Sequence, residues 1–271
     1  SGFSLIYYVV KFQYFSHGAI ISFGSYFFFF FLNLLGLNYL IAALLSMIIS
    51  AFVALLTNWL IYKPMRKRNA TPTTTLIASV VLLIFTSSLL LALFGASTKT
   101  LSLSSKNVTF DFGIITITTI QISIIFLALV LFLLLWLVMK KTRLGKAMRA
   151  IADNKDVAQI VGINPEKIYN YTFIISAVMG AVAGILIGLE QNIYPRMGVI
   201  IIIKGFIGSV VGGLGSVPGS IIGGLFIGLI ENLGVWFLPT GYKDVISFSV
   251  MLLFLLFRPQ GILGVKMRDD S

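Results

Sequence analysis

An all-α polytopic membrane helix bundle is the fold this sequence predicts, and three observations predict it. Hydrophobic residues make up 58% of the 271 positions and charged residues 11%, and mean hydropathy is +1.01; no soluble globular surface sustains that balance. Apolar runs bounded by charge or by Gly, Pro and Asn recur along the whole chain. The polar connections between them are short, except for the 28 residues from Lys140 to Lys167, KKTRLGKAMRAIADNKDVAQIVGINPEK. At about 20 residues per crossing the chain has room for roughly eight or nine spans. No folded soluble domain fits beside them, so residues 1–271 read as one membrane domain.

The first dozen residues, SGFSLIYYVVKF, read as the second half of a span whose first half would precede Ser1. Further spans are expected near 18–35, 38–62, 73–95, 114–139, 169–189, 198–217, 219–238 and 242–257. No signal-peptide pattern precedes them, so insertion would rely on the spans themselves. Basic residues cluster at Lys63, Arg66, Lys67 and Arg68, at Lys140, Lys141, Arg143, Lys146 and Arg149, and at Arg258, Lys266 and Arg268. Counting crossings puts all three clusters on one face, and the positive-inside rule makes that face cytoplasmic. The net charge of +11 is then mostly this bias plus attraction to anionic lipid; nucleic-acid binding has no soluble basic face to support it. The 96–113 loop falls outside, and its Asn107-Val108-Thr109 triplet is a glycosylation sequon if the organism uses one. The Asn69-Ala70-Thr71 triplet lies on the basic side and is irrelevant.

Absences narrow the chemistry. The chain has no cysteine and one histidine, His17, which removes disulfides, thiolate sites and a histidine metal cluster. There is no GxxxxGK[ST] loop, no HExxH and no serine–histidine pair with an evident acid. No cofactor is expected. His17 itself sits at a span start after Ser16 and reads either as a polar helix-end residue or as a pathway-lining one.

Within the polar insertion Leu144, Met148 and Ile151 recur at helical spacing with Ala147 beside them, while Lys146, Arg149 and Asp153 point elsewhere. Asp153 and Asp156 suit the start of a second short helix carrying Val157, Ile160 and Val161, and Gly162 would end it as a left-handed cap. Asn164-Pro165-Glu166 then reads as the cap and first turn of the next span. The surface helices could rest on lipid headgroups. Interspersed acids and the small residues Gly145, Ala147, Ala150, Ala152 and Ala158 favour docking in a protein cleft.

From Lys204 to Glu231 small residues recur every four positions, at Gly208 and Gly212, Gly215 and Gly219, Gly219 and Gly223, and Gly224 and Gly228. Such spacing lets helix backbones approach closely in lipid. Pro218 marks the turn of a hairpin or re-entrant pair, whose glycines either pack its core or border a permeation path. If the turn is at Val217 and Pro218, Lys204 and Glu231 lie equally far from it, which allows an ion pair. The alternative is that each snorkels or faces separate polar neighbours.

FQYFSHG at Phe12 to Gly18, GKAMRAIADNKDVAQIVGI at Gly145 to Ile163, VVGGLGSVPGSIIGGLFIGLIEN at Val210 to Asn232 and LFRPQGILG at Leu256 to Gly264 together resemble the membrane permeases of branched-chain amino acid ABC importers. The resemblance is to the H-type of two paired subunits and covers essentially the whole chain. It implies a prokaryotic inner-membrane importer with a second, M-type permease, two cytoplasmic ATPases and an external substrate-binding protein. It also implies a coupling segment within 140–167, carried by Gly145, Lys146, Arg149, Ala150, Asp153, Asn154, Ala158 and Gly162. The chain departs from the coupling motif where Arg149-Ala150-Ile151-Ala152 replaces the usual acidic residue ahead of the alanines. The pathway or packing residues would be His17, Gly208, Gly212, Gly215, Gly219, Lys204 and Glu231. Urea, short amides or another small solute on the same scaffold, a standalone channel or ion-coupled transporter, and an intramembrane enzyme are the competing readings. The last lacks a nucleophile, and Glu190 and Glu231 are the only candidate carboxylates for ion coupling.

Overall fold

The computed structural model describes residues 1–101, 109–111 and 116–264. The Asn107 sequon, Lys266 and Arg268 lie outside the described residues. Among the described residues eleven helices carry the fold: α1 (Gly2–Val10), α2 (His17–Leu34), α3 (Tyr39–Lys67), α4 (Pro72–Phe94), α5 (Thr119–Lys141), α6 (Arg143–Asp153), α7 (Lys155–Ile160), α8 (Pro165–Gln191), α9 (Met197–Gly212), α10 (Val217–Gly234) and α11 (Lys243–Phe257). Seven of these helical stretches are long and apolar enough to cross a membrane, and α9 is a shorter apolar helix of 16 residues. The expected spans match these within a few residues. One small departure from all-α is a two-stranded hairpin in the 96–118 connection, β1 (Thr109–Asp111) paired antiparallel with β2 (Thr116–Thr118). Lys99 of the same connection exchanges backbone hydrogen bonds of 2.8 and 2.9 Å with Ile193 in the α8–α9 loop.

Most of α8 is buried, and α1, α2, α3, α5 and α6 pack around it. Polar contacts fix this packing where apolar faces alone would slide in lipid. Ser46 Oγ donates to the Gly24 carbonyl at 2.7 Å, Ser22 Oγ accepts from the Gly198 amide at 3.1 Å, and Ser4 Oγ donates to Ser209 Oγ at 2.9 Å. The Arg66 guanidinium bonds both Glu166 and Asn58, whose amide donates to Asn170 at 2.7 Å. Asn58 and Tyr62 are turned inward by a π-helical stretch, Asn58–Tyr62, inside α3.

The break expected between the first dozen residues and the span near 18–35 is present, but the span assignment missed its depth. α1 ends at Lys11, whose φ is 63°, and the chain returns into the bundle as an extended segment before α2 begins at His17. His17 Nδ1 lies 3.2 Å from Ser176 Oγ, ten residues along α8 from Glu166. At 1.5 Å per residue α2 therefore starts about 15 Å above the basic face. Non-helical backbone at that depth survives only where protein satisfies it. Ser79 does so from α4: its Oγ accepts from the Phe15 amide at 3.2 Å and lies 3.2 Å from the Gln13 carbonyl, while its own carbonyl accepts from Ser16 Oγ at 2.8 Å. Tyr62 OH completes the arrangement, 2.6 Å from Ser16 Oγ.

Replacing Ser79 by Ala strands the Phe15 amide in a dry interior. The expected cost is about 1–3 kcal/mol, read as an earlier midpoint in denaturant unfolding of the purified protein. A midpoint unchanged from wild type would rule out this role for the hydroxyl.

Candidate functional site

The polar insertion folds as two helices. Thr142 starts α6, its Oγ1 accepting from the Gly145 amide at 3.0 Å and donating to the Val138 carbonyl at 2.6 Å. A side chain at Gly145 would collide with the Val138 and Met139 carbonyls, so α6 can fold this tightly beneath α5 only with glycine there. Met148 and Ile151 are buried in one cluster with Leu5, Val9, Leu135, Ile168, Tyr169 and Val217. Removing a side chain such as Met148 from water is worth about 1.5–3 kcal/mol. The small-residue face thus has an occupant within the chain. Gly145, Ala152 and Ala158 are buried and Ala150 half-buried against the protein's own bundle, which corrects the expectation that this face fits a partner's cleft. Arg149 is likewise engaged, its guanidinium donating to the Met139 carbonyl.

α7 presents the opposite situation. Its cap is Asn154, whose Oδ1 accepts from the amides of Asp156 and Val157 at 3.0 Å each, rather than the Asp153 and Asp156 pair. Asp153 is instead the last residue of α6. Ala158, 2% exposed, pins α7 to the bundle, while Val157, Val161 and Ile160 stand 55%, 68% and 84% exposed. Gly162 takes φ +86° as expected, its amide bonding the Gln159 carbonyl at 3.0 Å and that of Ile163 the Ala158 carbonyl at 3.0 Å. Asn164 then caps α8 through the Lys167 amide at 3.2 Å, with Pro165 in the first turn. Lys146 and Asp153 are exposed. Val157, Ile160 and Val161 lay inside the expected second helix but were not expected as site residues. Their signal was three large apolar residues in a segment too short to bury them.

The glycine hairpin is present, with its turn displaced. α9 ends at Gly212, residues 213–216 form the turn, and Ser216 caps α10 by accepting from the Gly219 amide at 3.1 Å. Pro218 stands in the first turn of α10, where its missing N–H costs nothing. Gly212 and Gly219 meet backbone to backbone, as do Gly208 and Gly223, and Gly208 would place a Cβ 3.0 Å from Gly224 Cα. Gly215 sits in the turn at φ +83° against Tyr7. Gly208, Gly212, Gly219 and Gly223 pack the hairpin, while a side chain at Gly205, Gly224 or Gly228 would point into open space.

Lys204 and Glu231 pair at 3.1 Å, although the equal-depth argument fails. Because Gly208 faces Gly224, Lys204 is level with Gly228, and Glu231 lies three residues farther from the turn; the lysine's length covers the offset. Asp244 at the start of α11 is also 3.1 Å from Lys204 Nζ, and Ser247 Oγ donates to Glu231. The charges form one node across three helices.

His17 is 5% exposed and wedged between Gly2, Gly180 and Ser176. It is not grouped with the hairpin glycines. Asn58, Tyr62, Ser79 and Asn170 escaped the sequence reading, and Arg66 was read only as part of a basic cluster; a polar residue inside an apolar run, such as Asn58, was the available signal. Arg66 also lies 4.8 Å over the Tyr169 ring, so the end of α3 is held to the start of α8, immediately after the insertion. Among the described residues no group of three or more His, Cys, Asp or Glu could hold a metal ion.

The three-helix node makes an asymmetric prediction. Lys204→Met leaves two carboxylates facing each other, whereas Glu231→Gln leaves Lys204 paired with Asp244. Lys204→Met should cost more than Glu231→Gln, with an upper scale of about 2.5–3.5 kcal/mol for an unpaired charge at mid-helix. The double variant should lose less than the sum. Additive losses in unfolding midpoint across the cycle would remove the pair as a coupled unit.

Residues 1–255 match the family described as branched-chain amino acid transport system, permease component. The chain is 34% identical over 283 residues to the high-affinity branched-chain amino acid transport system permease protein LivH of Salmonella typhimurium, covering 97% of this chain and 89% of that one. It is 32% identical to BraD of Pseudomonas aeruginosa, with the same coverage, and 33% identical to a probable LivH of Methanocaldococcus jannaschii, covering 97% and 87%. More distant similarity, 29% over 50% of the chain, reaches a ribose import permease of Haemophilus influenzae. No solved structure matches. A bundle of apolar helices, an amphipathic pair folded beneath it and an end-to-end match at this identity have one reading: the chain belongs to the permease component family of branched-chain amino acid transport systems.

Proposed function

We propose that this chain is one of two paired permeases in an importer of branched-chain amino acids, driven by two separate ATPase subunits and supplied by an external binding protein. Residues 1–271 act as one permease domain, with 140–167 as its coupling segment. The basic face is cytoplasmic, by the positive-inside rule. The observation that carries the reading is the exposed apolar knob of α7, Val157, Ile160 and Val161, on a helix fixed from behind by Ala158. A soluble protein with a hydrophobic cleft suits such a knob better than lipid does, because acids and bases, Asp153, Lys155 and Asp156, alternate beside it where a headgroup-resting helix would be uniformly basic. Gly145, Arg149, Ala150 and Ala158 act by holding α6 and α7 in place. Gly162 sets the exit angle, and Lys146, Asp153 and Asn154 lie on or next to the docking side. ATP chemistry belongs to the partners, since the chain has no phosphate-cradling loop.

A substitution on the knob should separate docking from folding. Ile160→Asp is expected to abolish ATP-driven leucine uptake in proteoliposomes and ATPase co-purification, while insertion and the unfolding midpoint stay within about 0.5 kcal/mol of wild type. Ala150→Arg and Gly162→Val are expected to fail differently, by disturbing α6 and α7 themselves, with lowered stability as well as lost coupling. Normal uptake with native ATPase stoichiometry in Ile160→Asp would refute the docking role of α7. Uptake of another solute class, with none of leucine, isoleucine or valine, would refute the substrate assignment alone.

A further inference from the structure

On the basic face a cleft of about 280 Å³ separates α5 from the start of α10. Phe132, Trp136 and Met139 of α5 line one side and Pro218 and Ile221 of α10 another, with Tyr8 of α1 between the elements. The space exists because α5 stands off the bundle: of its 23 residues Leu135 alone is buried. The lining is mostly apolar and the cleft is partly open, with Arg149 and Ser216 among the few polar groups on its wall.

Its rim is cationic. Arg149 lines the cleft and Lys140 Nζ lies 4.9 Å over the Trp136 ring, with exposed Lys141 and Arg143 following in sequence, at the end of α5 and the start of α6. Asp153, the last residue of α6, is the acidic neighbour of this rim. A tryptophan beside lysine at a helix end is the pairing expected at headgroup depth, the ring half in hydrocarbon and the ammonium in water. Apolar walls below a basic rim at that depth match an acyl chain beneath an anionic headgroup.

We propose that this cleft binds one anionic phospholipid, with an acyl chain between α5 and α10 and the phosphate against Lys140, Lys141 and Arg143. A helix of the second permease is the rival occupant, and the experiment below separates the two. The bound lipid fills the gap behind α6 and joins α5 to the glycine hairpin, so it belongs to the resting architecture of the permease.

The absence of native cysteine from the chain makes the test direct. In the assembled transporter, with cysteines of the other subunits replaced, Ile221→Cys is labelled with bimane and reconstituted into nanodiscs containing dibrominated phosphatidylglycerol or dibrominated phosphatidylcholine. Phosphatidylglycerol is expected to half-quench the label at a mole fraction about fivefold or more below phosphatidylcholine. Lys140→Gln should raise the phosphatidylglycerol midpoint about fivefold, the worth of one interfacial basic charge. Equal quenching by the two lipids overturns the proposal. So does quenching by neither, in which case a crosslink from the introduced thiol of the Ile221→Cys variant to the second permease identifies the occupant as protein.

Discussion

Everything in this bundle answers to one constraint: within hydrocarbon, a backbone amide or carbonyl without a partner costs several kcal/mol and no water is at hand to relieve it. Long helices meet it by themselves. The departures from helix are therefore the places where specific side chains are required. Ser79 and Tyr62 brace the extended segment before His17. At the far end of the chain the amides of Ile262 and Leu263 bond the Val211 and Gly212 carbonyls at 2.9 Å each, finishing the last turn of α9. Serine is the commonest residue in these roles because it is small enough to sit between helices and carries both a donor and an acceptor.

Charge follows the same logic. Lys204 is tolerated among apolar residues because Glu231 and Asp244 reach it from two other helices, and Arg66 because Glu166, Asn58 and the Tyr169 ring surround it. Each cluster ties helices that are distant in sequence. The first fastens the hairpin to α11, the second fastens α3 to the helix that emerges from the polar insertion. Specificity of arrangement, more than net stabilisation, is what such buried groups supply.

The spans were legible in the sequence because hydropathy is nearly sufficient for a helix that must satisfy its own backbone. What it could not reveal is how deep in the bundle a boundary lies. The boundary between Phe12 and His17 was expected as an ordinary connection, and the hydroxyls that brace it inside the bundle come from residues 62 and 79. The hairpin turn was misplaced for a chemical reason: Pro218 reads as a breaker, but proline is at home in the first turn of a helix, and Ser216 was the better marker of where α10 starts. The small-residue face of α6 was correctly seen as a packing surface and assigned the wrong occupant, since periodicity reveals a face but never what lies against it. Pairing of Lys204 with Glu231 was anticipated on a depth argument that the real turn does not support. A lysine side chain is long enough to forgive three residues of error.

The joint between α7 and α8 has a mechanical consequence. Between Ile160 and Pro165 the chain has Gly162 locked into a left-handed turn by two hydrogen bonds, then the Asn164 cap and a proline of fixed φ. Nothing in those few residues can stretch. Behind α7, Ala158 is buried in the same cluster as Met148 and Ile151, which holds the segment to the bundle. On the docking role proposed for α7, a push delivered at Ile160 would reach the first turn of α8 through these few residues, and α3 through the Arg66–Glu166 pair. Because α8 is the helix around which α1, α2, α3, α5 and α6 pack, such a stroke would begin at the axle of that group and not at its rim.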